Sequence, residues 1–297
     1  MLSICVFGDS KNTVTVPLFS EGHGSDGSQE CVPIPDFFFL LAHTPRLRYL
    51  KLLLLFMQKN IGPLVPHILD WLSDLVLPIE ALHLDDGVRL HSTFVYELVG
   101  TWPTIKALRV VASHTNEVPP ERPNISLREL RLSITPLDKL IEVIEWLLPP
   151  PPPNEQSNLR FLEPNKFPKE ALPVLSVHGP SVSTLMLRRQ PAFEIANLFT
   201  KLDGLVNTGL LWSSPLPAFP RTLKHIMLHG NSSMSISVLA AIAQAVPMLP
   251  HLRILSIKKA LTTQTHYADL QEACKTHRVE ILVYSVYSSG RTVVSTH

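Results

Sequence analysis

Apolar and polar positions along the chain repeat one hexad: apolar, two variable, apolar, one variable, apolar. It runs from Leu47 through Leu50 to Leu52, and again as Ile79, Leu82, Leu84 and as Ile105, Leu108, Val110. Further copies are Leu127, Leu130, Leu132, then Val182, Leu185, Leu187, then Leu223, Ile226, Leu228, and finally Leu252, Leu255, Ile257. Two weaker copies begin at Leu159 and Leu202 and lose the last apolar position to Pro164 and Asn207. Residues two apart share one side of a pleated strand, so each hexad predicts a strand with one buried face. The nine starts are 20 to 32 residues apart, about 26 on average, a spacing typical of leucine-rich repeats.

Between hexads the period turns helical. Residues 136–148 are the clearest case: Leu137, Leu140, Ile141, Ile144, Leu147 and Leu148 form one stripe, with Asp138, Lys139, Glu142 and Glu145 opposite. Helices are also predicted over 35–43, 64–75, 92–99, 192–201, 235–246 and 267–277. A strand followed by a helix, repeated, gives parallel strands with helical crossovers, and such units bury their apolar faces only by stacking. The fold class expected is therefore α/β: a leucine-rich-repeat solenoid, a right-handed βα horseshoe with parallel strands on the concave face and helices on the convex face. Residues 31–285 are expected to form the array. Residues 1–30 read as a strand and a glycine and serine loop, a partial first repeat, and 286–297 as a C-terminal tail. Pro45, Pro78, Pro103, Pro220 and Pro250 stand one to three residues before a hexad, where a helix must stop. The run 149–153 reads as a polyproline surface loop between repeats.

Composition sharpens this picture. Of 297 residues, 48 are leucine and only 17% are charged, while 27 prolines face 12 glycines, which excludes a collagen, a coiled coil and a disordered chain. The net charge of +1 gives no field for a phosphate backbone or an anionic bilayer, so neither nucleic acid nor membrane is an expected partner. The longest apolar stretch, residues 47–57, is broken by Arg48 and Lys51 and is well short of the roughly 20 residues of a membrane span. Cys5, Cys31 and Cys274 are too few and scattered for a disulfide framework, so an intracellular setting, cytoplasmic or nuclear, is expected.

Three constellations imitate catalytic or cofactor chemistry. Gly8-Asp9-Ser10 resembles the nucleophile block of GDS-type serine esterases, with Ser10 as nucleophile. That chemistry needs a strand-to-helix elbow, a histidine and oxyanion donors, whereas residues 11–18 read as a strand and no partner block follows. The esterase is the alternative function; the expectation is a non-enzyme with no catalytic residues. Gly22-His23-Gly24-Ser25-Asp26-Gly27 matches a dinucleotide fingerprint in letters only, because Cys31 and two prolines follow where a helix must start. His225 and His229, four apart on a strand, stand about 13 Å from each other, too far to share a zinc. No metal and no cofactor are expected.

The hexads, the prolines before them, the uneven spacing, and an ending in which a helix leads through Cys274 into the strand Val279 to Tyr284 resemble the leucine-rich-repeat half of fungal F-box proteins, over roughly residues 30 to 285. The resemblance implies a substrate-receptor role in a ubiquitin ligase, with the ligase adaptor as a partner if an F-box lies upstream. No F-box helical module is found in the sequence: Leu77-Pro78-Ile79-Glu80 imitates its start but falls in phase with the repeats, and Met1 to Val6 alternate like a strand already inside the array. In such repeats the variable positions beside the middle apolar residue face the inner curve. A central column runs Lys51, His83, Arg109, Arg131, Glu163, Met186, Val206, Met227, Ser256, Leu282, flanked by Tyr49, Asp85, Glu129, Arg188, His225 and Lys258. From these, Tyr49, Lys51, His83, Asp85, Arg109, Arg131, Met186, Arg188, His225, Met227 and Lys258 are predicted to bind a protein partner, since arginine, methionine and aromatics are enriched at interface centres.

Overall fold

The computed structural model of the chain describes residues 13–19, 39, 41–55, 65–86, 94–113, 117–135, 137–188, 197–207, 219–229, 237–286 and 292–296. The fold is α/β, and the chain divides into two compact units, 1–149 and 150–297. The boundary falls inside the proline run 149–153.

In the first unit, β1 (Thr13–Phe19), β2 (Tyr49–Leu55), β3 (Ala81–Asp86), β4 (Ala107–Ser113) and β5 (Glu129–Thr135) pair in chain order, all parallel. Crossovers carry α1 (Val65–Asp74) and α2 (Phe94–Thr101), and α3 (Leu137–Leu147) follows β5. The β4 to β5 connection has no helix among its described residues, because Pro119, Pro120 and Pro123 break any helical run. In the second unit, β6 (Phe161–Pro164), β7 (Thr184–Leu187), β8 (Gly204–Asn207), β9 (His225–Leu228), β10 (Ile254–Lys258) and β11 (Glu280–Val286) are likewise parallel and in order. Its helices are α4 (Leu172–His178), α5 (Ser237–Ala245) and α6 (Tyr267–Thr276). The last strand, β12 (Thr292–Thr296), returns antiparallel along β11. The segment expected to be a tail therefore covers what would otherwise be a bare sheet edge.

The middle apolar residue of every hexad is buried: Leu50, Leu82, Leu108 and Leu130 in the first unit, and Leu162, Leu185, Leu205, Ile226 and Leu255 in the second, all at 2% exposure or less. The two weak copies form strands too. Burial of the first and fourth positions is enough, and the sixth can be Pro164 or Asn207.

The prolines act more specifically than as helix stops. The first hexad residue donates its N–H to the carbonyl three residues earlier in six repeats: Leu47 to Thr44, Ile105 to Trp102, Val182 to Gly179, Leu202 to Phe199, Leu223 to Pro220 and Leu252 to Leu249. In four of the six a proline (Pro45, Pro103, Pro180, Pro250) is the second residue of the turn, where its fixed φ favours the turn before it forms.

A second device repeats at the next position. The carbonyl of the second hexad residue accepts two consecutive N–H groups from the following repeat: Arg48 from Glu80 and Ala81, Glu80 from Lys106 and Ala107, Lys106 from Arg128 and Glu129. The second unit repeats it at Arg160, Ser183, Asp203 and Lys224. Thr104 Oγ1 and Thr222 Oγ1 add bonds to the carbonyls of Ile79 and Leu202, the first residues of the preceding hexads, at 2.7 and 2.8 Å. Register is thus set where each strand begins.

Two differences from the sequence expectation concern helices. Residues 169–178 form a 3₁₀ turn continuing into α4, although prolines crowd that stretch; Pro173 sits in the helix's first turn, where its missing N–H costs nothing. The helix expected over 192–201 is not seen in its described part, where residues 197–201 form a turn.

Candidate functional site

Parallel register converts the predicted column of the first unit into a row of neighbours. Lys51 pairs with His83, His83 with Arg109, and Arg109 with Arg131. Strand spacing puts neighbours about 4.8 Å apart at the backbone. The adjacent column, on the same face, is Tyr49, Ala81, Ala107 and Glu129. Two alanines between a tyrosine and a glutamate leave side-chain volume empty, and there a cavity of about 290 Å³ opens, lined by both columns. Tyr49 is 47% exposed at its rim.

Among the described residues, Lys51, Arg109, Arg131 and the carboxylate of Glu129 line the cavity, and Glu129 lies 3.8 Å from Arg131 with both side chains substantially exposed. An exposed pair at that distance offsets at most about 1 kcal/mol. His83 registers the field: burial first, then the charges of Arg109, Lys51 and Arg131, lower its pKa to about 3, so it is a neutral imidazole at pH 7. Adjacent like charges cost the sheet stability. The side chain of Asp85 lies outside the described residues.

In the second unit the face is softer. Met186, Val206, Met227, Ser256 and Leu282 are in register. His225 Nε2 lies 2.9 Å from Ser256 Oγ, and burial lowers its pKa. Arg188 is held in an ion pair: its Nε and Nη2 donate to Glu163 Oε1 at 2.9 and 2.8 Å, and Glu163 is almost fully buried. Lys258 is half-buried and helps lower the pKa of His229, after burial. The predicted residues thus fall into two sets, one in each unit: Tyr49, Lys51, His83, Arg109 and Arg131 together, and Met186, Arg188, His225, Met227 and Lys258 together.

The second hexad position carries a pattern the sequence reading did not use. Arg48, Glu80 and Lys106 alternate in charge, and Glu80 lies 3.8 Å from Arg48 and 3.3 Å from Lys106; Lys224 and Asp203 repeat this at 3.0 Å. Alternating charge at a fixed offset from each hexad start was the available signal. It marks repeat-to-repeat adhesion.

Other chemistry is enclosed. Ser157 Oγ lies 2.8 Å from His178 Nδ1, but it also accepts the Leu159 N–H, and both side chains are under 10% exposed, so no substrate reaches the pair. Cys274 is buried, its thiol pKa raised by desolvation to about 11, which keeps it protonated and unreactive. His229 meets Tyr284: the tyrosine hydroxyl donates to Leu228 O at 2.9 Å and lies 2.8 Å from His229 Nδ1. Since that hydroxyl proton is committed to the carbonyl, Nδ1 is the donor of the second bond. Ser10 and the 22–27 glycine motif lie outside the described residues. Among the described residues no cluster of histidine, cysteine and acidic side chains could hold a metal, and no helix is long and apolar enough to cross a membrane.

Compared with protein-family models, curated proteins and solved structures, the chain finds no match.

Proposed function

We propose that the chain is a non-catalytic recognition scaffold of the leucine-rich-repeat class, which holds a protein partner against the strand face of its first unit. The observation that carries this reading is the cavity between the two in-register columns, floored by Ala81 and Ala107 and rimmed by Tyr49, Lys51, Arg109 and Arg131. Arg109 and Arg131 stand side by side on adjacent strands and contribute nothing to the core, which is the arrangement expected where selection acts on binding. The methionine and histidine face of the second unit is a further contact area for the same class of partner. The resemblance to the repeat half of fungal F-box proteins extends the reading to substrate capture for a ubiquitin ligase.

The test fills the cavity without changing its charge. In Ala81→Leu/Ala107→Leu, both new side chains stand on the solvent face, so stability should stay within about 1 kcal/mol, as for most surface substitutions. Capture, by the purified full chain, of the protein that the unaltered chain retains from its native source should fall at least tenfold, as it should for Arg109→Ala/Arg131→Ala/Met227→Ala. Undiminished capture by both variants overturns the assignment. The same pull-down, made from the native source, asks whether a cullin-linked adaptor accompanies the chain; its absence removes the ligase role and leaves the scaffold.

A further inference from the structure

We infer that the proline run is itself a ligand: Pro150 to Pro153 present a preformed polyproline II surface to the aromatic-lined groove of a proline-reading domain on a partner protein. It uses no residue of the strand-face cavity, so either reading can fail without the other.

The conformation follows from the residues. Each proline holds its own φ at about −65°, and each one that precedes another proline is kept out of the helical region by the next ring. Pro150, Pro151 and Pro152 are thereby confined to extended geometry, and none of them lies in a helix or a strand. The run then ends at a built stop. The Glu155 N–H donates to the carbonyl of Pro152 at 3.0 Å, and Asn154 has a φ of 73°, which makes residues 152–155 a type II turn with Pro153 in its second position and Asn154 in the left-handed third. Beyond the turn the chain is fastened: Lys201 Nζ donates to Gln156 Oε1 at 3.0 Å, and Arg160 Nη1 donates to the carbonyl of buried Ser157 at 3.0 Å. A ligand already rigid loses little freedom on docking.

Exposure shows which side is offered. A polyproline II helix repeats every three residues, so Pro150 and Pro153 stand on one edge about 9 Å apart, Pro152 on the second and Pro151 on the third. Pro150, Pro152 and Pro153 are exposed while Pro151 is half-buried, so two edges face outward, as docking into an aromatic-lined groove requires. No described residue donates to the carbonyls of Pro150, Pro151 or Pro153, which leaves acceptors for a tryptophan N–H or a tyrosine O–H of the groove. Residues 147–159 contain no lysine or arginine, so the grip rests on rings and carbonyls and not on a basic anchor.

The experiment follows the anisotropy of two fluorescently labelled probes, a WW domain and an EVH1 domain, as the full chain is added. Saturable binding of either supports the inference if it changes less than threefold between 50 and 500 mM salt and is displaced by free decaproline. It should weaken at least tenfold in Pro150→Ala/Pro153→Ala, and again when the groove tryptophan of the probe is replaced by alanine. Pro151→Ala should weaken it less than threefold, and Pro119→Ala/Pro120→Ala, prolines outside the run, should leave it unchanged. Displacement by decaproline is read on the unaltered chain, so it decides the matter even where a variant fails to fold. No binding of either probe, binding that survives Pro150→Ala/Pro153→Ala in a folded chain, binding indifferent to decaproline or to the groove tryptophan, or binding lost at high salt overturns the inference.

Discussion

At the scale of single residues, cost and use separate cleanly. His83 is a base whose pKa is lowered on folding, so between its ordinary value near 6.5 and about 3 the unfolded chain binds a proton that the folded chain refuses. Stability should accordingly fall as pH drops from 6.5 toward 3. His225 and His229, also lowered, push the same way, so His83→Asn should flatten this acid-side loss without abolishing it. Urea midpoints measured across that window for both proteins check the sign, and an unchanged slope refutes the role of His83. Arg188 makes the opposite case: exposed at one end, it neutralises a carboxylate that is almost fully buried. Arg188→Met should cost about 2 kcal/mol, the range of a hydrogen bond to a charged group, and Glu163→Gln in the same chain should recover most of it. A double-mutant cycle on thermal unfolding measures the coupling. Neither property was legible from the letters. The sequence offered Arg188 as a partner contact because its place beside the column was visible; that Glu163, in the central column of a weak repeat, would be buried and paired with it was not.

At the scale of the element, the hexads were legible because burying alternate side chains leaves a period of two that no helix shares. The helices with a clean stripe, such as α3, were equally visible. What escaped was α4, whose prolines look prohibitive until one notices that they fall in the first turn or beyond the end. Its exit depends on Gly179. That residue has an ordinary helical φ, but a Cβ there would stand 2.5 Å from the carbonyl oxygen of Leu198. Gly179→Ala should therefore cost about 1–3 kcal/mol, the usual range for overpacking, by pushing the turn at 197–201 away from the helix end; a fall in the urea midpoint with unchanged helix content by circular dichroism is the expected result. The element scale also explains Tyr284, which reaches from β11 past β10 to the carbonyl of Leu228 at the end of β9, a tie that skips a strand and that no local pattern announces.

At the scale of the whole molecule, each repeat touches chiefly its neighbours, so damage should stay close to where it is made. Leu130→Ala and Leu255→Ala remove equivalent core side chains from different units, and each should cost about 2–5 kcal/mol. Hydrogen exchange should show the largest loss of amide protection in β3 to β5 for the first variant and in β9 to β11 for the second. Uniform loss across both units would refute the nearest-neighbour account. The hexads continue across the proline run within the range of their other spacings, at its upper end, so they do not by themselves mark the division; cohesion within each unit is a property of contacts that periodicity does not encode. The candidate site was half legible for the same reason. Register brought Lys51, His83, Arg109 and Arg131 together as predicted, but the cavity depends on Ala81 and Ala107, residues whose contribution is missing volume.

The doubly bonded carbonyl at the second residue of seven of the nine hexads has a consequence for how such a chain can change. Because alignment of one strand on the next is decided at that carbonyl, the length of chain between strands is left unconstrained, and the observed intervals of 20 to 32 residues are what that freedom looks like. Crossovers can lengthen, shorten or exchange a helix for a proline-rich stretch while the exposed columns keep their order. The architecture behaves as a keyboard whose keys are fixed in place while the linkages behind them are free to vary, so new specificities can arise by altering single exposed letters without disturbing the neighbours on either side.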